Sequence, residues 1–191
     1  MTKHTQIMID PPWDISMAGK KESQGGLATK LPYKTLNTQE IISLYRESIL
    51  PLAAEKHSLW LWATEKTFVT AILEWKYLGY NHHATIIWNK GNGLSPAFTV
   101  RYSHEYLLWM WKGGLQPVSN DARGKYTTVF FEQSREHSRK PEAAYDMIEC
   151  LYPEDTKLDV FARERRAGWS AWGNEVGKFD WRWQLFNGNV M

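Results

Sequence analysis

One short segment of the chain carries residue types suited to a difficult reaction: Asp10-Pro11-Pro12-Trp13. An amine attached to a heteroaromatic ring is a poor nucleophile, because its lone pair is delocalised into the ring. A carboxylate and a backbone carbonyl, acceptors with no competing N–H, can each take one amine hydrogen and draw the nitrogen towards a tetrahedral geometry. The lone pair is then free to attack an electrophilic carbon. In this reading Asp10 supplies the carboxylate, Pro11 supplies the carbonyl and Pro12 stiffens the turn. The Trp13 ring offers a platform for a base, a contact worth about 1–3 kcal/mol. The plainer alternative is a strand that ends in an Asp-Pro turn with Trp13 in the core, and four residues alone do not exclude it.

Other residue types give less. Gly91-Asn92-Gly93 has no third glycine opening a helix, and no glycine-rich loop ends in Gly-Lys-Ser/Thr, so nucleotide hydrolysis has no support. His57, His82, His83 and His104 lack helix-spaced or cysteine partners; they read as surface or edge residues, and no metal site is expected. Cys150 shares an apolar helix face with Ile148 and Leu151 and reads as an inert small hydrophobe.

The elements that must position the motif follow from periodicity and punctuation. Residues 6–9 read as a buried strand stopped by Pro11 and Pro12, neither of which has an N–H for a ladder. Asn37 and Glu40 form a capping-box pattern that opens a helix running to Pro51. Strands are expected at 57–63, 84–88, 105–111, 127–131 and 157–161, and helices at 64–78 and from Pro141 to Leu151. This alternation predicts an α/β fold, a mostly parallel sheet with helices on both faces. Asp10 and Arg163 then fall at carboxyl ends of strands, where such sheets place their ligands. The segments 14–35, 89–103 and 114–139 are the expected substrate-contacting loops.

The 191 residues suit a single domain, with 43% hydrophobic and 23% charged residues. A net charge of +2 gives no global drive towards nucleic acid or membrane, although basic residues gather in loops: Lys20, Lys21, Lys30, Lys34, Arg123, Lys125, Arg135, Arg139 and Lys140. On one face they would hold phosphates. One cysteine and no long apolar run fit a cytoplasmic protein without a membrane span. Eleven tryptophans are the compositional oddity, and the i, i+2 pairs 60/62, 109/111 and 181/183 predict rings on one face of a strand.

Read together, Asp10-Pro11-Pro12-Trp13, Leu31-Pro32-Tyr33, Leu59-Trp60-Leu61-Trp62, Ile86-Ile87-Trp88-Asn89-Lys90, His104-Glu105, Lys112-Gly113, His137-Ser138-Arg139-Lys140-Pro141, Leu158-Asp159-Val160-Phe161-Ala162-Arg163, Gly168-Trp169 and Gly173-Asn174-Glu175 occur in an order that resembles one family. It is the adenine methyltransferase family that contains the catalytic subunit of the eukaryotic messenger-RNA adenine methylating complex, with bacterial and phage members. The resemblance implies a single methyltransferase catalytic domain over 1–191, on a permuted Rossmann-like sheet whose motif strand comes first. It implies methyl transfer from S-adenosylmethionine to the 6-amino group of adenine, with DNA favoured over RNA for a small member.

The resemblance also distributes roles. Asp10 would sit between the donor and the target amine, Lys140 would meet the donor carboxylate or the substrate, and Arg163, Asn174 and Glu175 would lie near the donor ribose. Trp13, Tyr33 and Glu105 would line the substrate side. The family segment that precedes the motif strand is not represented, so donor adenine is expected to be bound in another way, or donor affinity to be weak. Glu175 stands where animal members commonly have glutamine, and still accepts hydroxyl hydrogen bonds. A homo- or hetero-oligomer is compatible with the reading. Two alternatives stay open: a non-catalytic nucleic-acid-binding subunit of a methyltransferase complex, and methylation of another planar amine.

Overall fold

In the computed structural model, residues 2–14, 35–91, 100, 102–136 and 139–178 are described. The apolar run at the start forms β1 (His4–Ile9), and the capping box opens α1 (Thr38–Leu44). The Asn37 side chain accepts from the Glu40 N–H at 3.0 Å, and the Glu40 carboxylate accepts from the Asn37 N–H at 2.8 Å. Two tighter or looser turns, 45–49 and 50–52, then lead past Pro51 into β2 (Ala53–Ala63). After these come α2 (Phe68–Tyr77), β3 (Asn81–Asn89), β4 (His104–Lys112), β5 (Val129–Phe131), α3 (Glu142–Leu151), β6 (Lys157–Val160) and β7 (Trp169–Trp172).

These strands form one sheet in the order β5-β3-β4-β2-β1-β6-β7. β1 pairs in parallel with both β2 and β6, β3 pairs in parallel with β5, and β6 with β7. β4 runs antiparallel to both β2 and β3. The sheet is therefore mostly parallel, and helices cover both faces. One face packs Ile7, Ile9, Leu59 and Leu61 against α1, the turn after it and α2 through Ile41, Tyr45, Ala71 and Trp75. The other packs Met8, Trp60 and Trp62 against Ala144, Met147 and Ile148 of α3. No described helix is long and apolar enough to cross a membrane.

The tryptophan pairs follow the alternation of a strand. Trp60 and Trp62 share the α3 face, and Trp109, directly opposite Trp60 across the β2–β4 pair, stacks on it at 4.6 Å. Trp181 and Trp183 lie outside the described residues. β7, absent from the periodicity reading, forms at the sheet edge, where Ser170 and Ala171 are exposed and only Trp169 is buried. The placing of His57 at the surface is corrected. It is 1% exposed on β2, with Nδ1 2.7 Å from the Ala54 carbonyl and Nε2 2.6 Å from the Tyr80 hydroxyl. Burial holds its pKa below the usual imidazole value.

α3 starts at a proline and has no side-chain cap of its own. Glu132 supplies one from a distance, accepting from the N–H groups of Glu142 at 3.0 Å and Ala143 at 2.9 Å. Arg135 and Arg139, expected as phosphate contacts, are engaged with Glu132, Glu136, Glu142 and Glu164 around this helix start. Their first role is thus to hold the segment that carries Lys140.

At the end of β4, Gly113 has φ +76°, and a Cβ built there would lie 2.3 Å from the Glu55 carbonyl oxygen. Gly113→Ala is therefore expected to destabilise the protein by more than about 1 kcal/mol, read as a fall in the denaturation midpoint.

Candidate active site

β1 lies between β2 and β6, so the crevice above its carboxyl end is the natural ligand position in a sheet of this kind. The motif occupies that end. The Asp10 N–H donates to Val160 on β6 at 3.3 Å, and the turn closes with the Trp13 N–H on the Pro11 carbonyl at 2.8 Å. Pro12 accepts from Leu36 at 2.8 Å, and Asp14 donates to Leu36 at 2.9 Å, tying the turn to the strand-like entry of α1. One lone pair of the Pro11 oxygen is committed to the turn, and a carbonyl has two.

The expected base platform does not hold in its simple form. The Trp13 ring is 8% exposed, meets Trp75 edge-on at 6.0 Å, and donates its indole N–H to the Trp62 carbonyl at 3.0 Å. This is the core alternative. Trp13 braces the turn that carries Asp10. Trp88, the other tryptophan at a strand end, is likewise buried and donates to the Glu132 carbonyl at 2.8 Å.

Four alternating charges form a chain that starts at Asp10, at the end of β1. Asp10 Oδ1 is 3.0 Å from Lys140 Nζ, which is 2.8 Å from Glu105 Oε2, and Glu105 Oε1 is 3.2 Å from Lys90 Nζ. β1, β3, β4 and the approach to α3 each contribute one member. Burial alone would push Glu105 up, but the Lys140 and Lys90 ammoniums outweigh it and hold the carboxyl below its usual range. Burial raises Asp10, Lys140 and Arg163 oppose the rise, and Glu105 adds to it; the result lies above the ordinary aspartate value. Lys140 is raised, because two carboxylates overcome the burial that would neutralise it.

Behind Asp10 the crevice continues along β6, lined by Tyr145, Asp159, Phe161 and Arg163. Asp159 sits opposite Met8 in the β1–β6 register and accepts from the Tyr145 hydroxyl at 2.9 Å. Burial, with further pressure from Asp10, raises its pKa to about 7. At the end of β6, Phe161 takes φ 62°, a conformation rare for a side chain with a Cβ, and Gly173 packs so close that a Cβ would lie 3.0 Å from Phe161 Cα. Arg163 Nε pairs with Glu175 at 3.2 Å, and Lys178 joins the same carboxylate at 2.7 Å.

Asp10, Glu105 and Lys140 thus come together, Arg163 and Glu175 pair beside them, and Asn174 is exposed on the adjoining turn. Tyr33 lies outside the described residues, as do Lys20, Lys21, Lys30 and Lys34. Asp159 and Lys90 belong to the site without having been singled out from the sequence. The signal for Asp159 was a carboxyl set between the apolar Leu158 and Val160 of a strand. Among the described residues, no group of three or more His, Cys, Asp or Glu could hold a metal ion.

A raised carboxyl gives a testable pH dependence. Since Asp159 binds its proton more tightly folded than unfolded, its contribution is fully present below the unfolded value of 3.8 and is lost as pH rises through about 7. Asp159→Asn keeps an acceptor for Tyr145. It is expected to flatten the fall in Tm across that window and to raise Tm at pH 8.

A mostly parallel sheet with a motif strand at its switch point and a charged crevice above it is the Rossmann-like methyltransferase fold. Comparison with known proteins agrees. The MT-A70 family model matches residues 4–175. The chain is 32% identical over 179 residues to a rice protein named probable N(6)-adenosine-methyltransferase MT-A70-like, covering 89% of this chain and 22% of that one. It is 30% identical over 183 residues to the human N(6)-adenosine-methyltransferase catalytic subunit METTL3, covering 91% and 28%. With the type II methyltransferase M.MunI of a Mycoplasma it shares 27% identity over 188 residues, covering 91% and 78%. The chain spans about a quarter of the length of the rice and human relatives. It belongs to the MT-A70 family of methyltransferases.

Proposed function

We propose that this protein transfers the methyl group of S-adenosylmethionine to the 6-amino group of adenine in nucleic acid. The observation that carries the reading is the Asp10–Lys140–Glu105 cluster at the mouth of the switch-point crevice. The donor supplies a methyl carbon on a cationic sulfur. Residues in the crevice suit such a molecule, with Asp10 and Asp159 offering carboxylates to its cationic end and Lys140 and Arg163 offering cations to its carboxylate. Beside it Glu175, paired with Arg163, and the neighbouring Asn174 offer acceptors to ribose hydroxyls.

Asp10 accepts a hydrogen bond from one N–H of the target amine and the free lone pair of the Pro11 carbonyl accepts one from the other, drawing the amine lone pair out of conjugation. The proton that the nitrogen sheds on gaining the methyl group passes to the Asp10 carboxylate. For this Asp10 must be ionised, and Lys140 is the nearest group that holds it so. Lys140 also fixes Glu105 on the substrate side. A target adenine in a duplex has to leave the stack to reach Asp10. The exposed Arg123 and Lys125 are available to phosphates.

DNA is favoured over RNA. The likeness to M.MunI covers most of that protein, whereas the N(6)-adenosine-methyltransferases are matched over a small part of theirs, so we take the type II methyltransferase as the nearer guide. The test is transfer of labelled methyl from S-adenosylmethionine to adenine-containing DNA and RNA oligonucleotides. Incorporation that is stronger on DNA is expected. Equal or greater transfer to RNA contradicts the preference, and transfer to neither contradicts the reading.

A further inference from the structure

The Lys140 ammonium has three N–H groups, and the two carboxylates at 3.0 and 2.8 Å account for two of them. Its remaining side faces the ring of Trp62, whose centroid lies 5.1 Å from Nζ. An indole face attracts a cation more strongly than any other side chain ring, and the attraction grows where water is excluded. Trp62 is 1% exposed.

Trp62 is also fixed on its other sides. Its indole N–H points to the Met8 sulfur at 3.4 Å, and its ring meets Trp88 edge-on at 5.9 Å. Its backbone carbonyl is the acceptor that holds the Trp13 indole at 3.0 Å. Trp13 in turn closes the Asp10 turn through the Pro11 carbonyl. One residue at the end of β2 therefore touches both halves of the cluster: the turn that presents Asp10, through its carbonyl, and the cation that pairs with Asp10, through its ring.

We propose that Trp62 is a positioning residue of this site, its indole face seating the Lys140 ammonium between Asp10 and Glu105 while its carbonyl anchors the motif turn. The proposal rests on the functional reading for its kinetic consequences but not for its geometry. Without the ring, the Lys140 side chain keeps its two carboxylates and loses the surface that sets its height between them. Trp62→Leu leaves the carbonyl and hence the Trp13 anchor in place, so it separates the two contacts.

Two measurements test this. In NMR spectra, with Lys140 assigned through Lys140→Arg, its ε-methylene signal should be shifted upfield by the indole ring, return to the ordinary lysine position in Trp62→Leu, and lie between in Trp62→Phe. In methyl-transfer assays Trp62→Leu should lower kcat by about tenfold and move the acid limb of the pH profile upward, with Trp62→Phe recovering part of both. A folded Trp62→Leu in which the Lys140 signal keeps its wild-type position and kcat is unchanged overturns the proposal. Should Trp62→Leu fail to fold, site-specific fluorination of Trp62 weakens the ring face without changing its shape. A graded fall in kcat with fluorine number is expected, and a flat series overturns the proposal. If the wild-type protein transfers no methyl, the functional reading fails, while the NMR shifts still decide the seating of Lys140.

Discussion

Asp10→Ala is expected to lower kcat for methyl transfer by about 10²–10⁴-fold, the range spanned by a positioned proton acceptor. In the proposed reaction, the variant lacks the carboxylate that takes one amine hydrogen, and the target lone pair stays in conjugation with its ring. The fold should survive. Asp10 contributes its backbone N–H to Val160, which alanine retains, and Lys140 keeps its contact with Glu105 at 2.8 Å. Burial makes the Asp10 carboxylate costly in the folded state, so its removal is not expected to lower Tm. A parallel loss of Tm and activity would mean that Asp10 acts through the fold instead.

Lys140→Met has the second large effect, and it is felt at two sites. Methionine keeps much of the length of lysine and removes the charge. Asp10 then faces burial and Glu105 with only Arg163 opposing them, so its pKa rises further above the usual value; Glu105 retains Lys90. Activity needs ionised Asp10 and is lost as pH falls through that pKa. The acid limb of the pH–rate profile therefore moves to higher pH, and the loss relative to wild type is greater at pH 6 than at pH 9. Stability moves the other way. Removing Lys140 leaves the half-buried Asp10 carboxylate without its nearest cation and destabilises the folded state, and protonation of Asp10 relieves this, so the variant regains Tm as pH is lowered. Calorimetric melts at several pH values, beside the kinetic profile, check both signs.

What the sequence made legible was the part encoded locally. Asp10 could be placed because two prolines end its strand, and the capping box of Asn37 and Glu40 is a contract between residues three apart. Glu105 and Lys140 were found through their blocks, and the sheet brings them to Asp10 from β4 and from the approach to α3. What escaped depended on distant partners. The fate of the Trp13 ring is decided by Trp75 on α2 and the Trp62 carbonyl on β2, neither of which its own neighbourhood reveals. His57 reads as polar until Tyr80 and Ala54 satisfy both ring nitrogens inside the core.

Arg135 and Arg139 show the same limit for charge. As a run of basic residues they suggest a phosphate-binding face; their carboxylate partners include Glu142 and Glu164, so in space they stabilise the start of α3. β7 escaped for a different reason, since an edge strand of four residues with two exposed small side chains has little apolar alternation to detect. Lys90 was quoted within a block yet gains meaning only from Glu105 across the β3–β4 pair, whose register places Asn89 opposite His104.

The proposed function assigns methyl transfer to the adenine amine to Asp10 and its cation partner. It is tested most directly by mass spectrometry of nucleosides from DNA and RNA incubated with S-adenosylmethionine and either wild-type protein or Asp10→Ala. 6-Methyladenine is expected with the wild type, formed mole for mole with S-adenosylhomocysteine, and almost none with the variant. No methylated adenine with the wild type, or the same amount with Asp10→Ala, would contradict it.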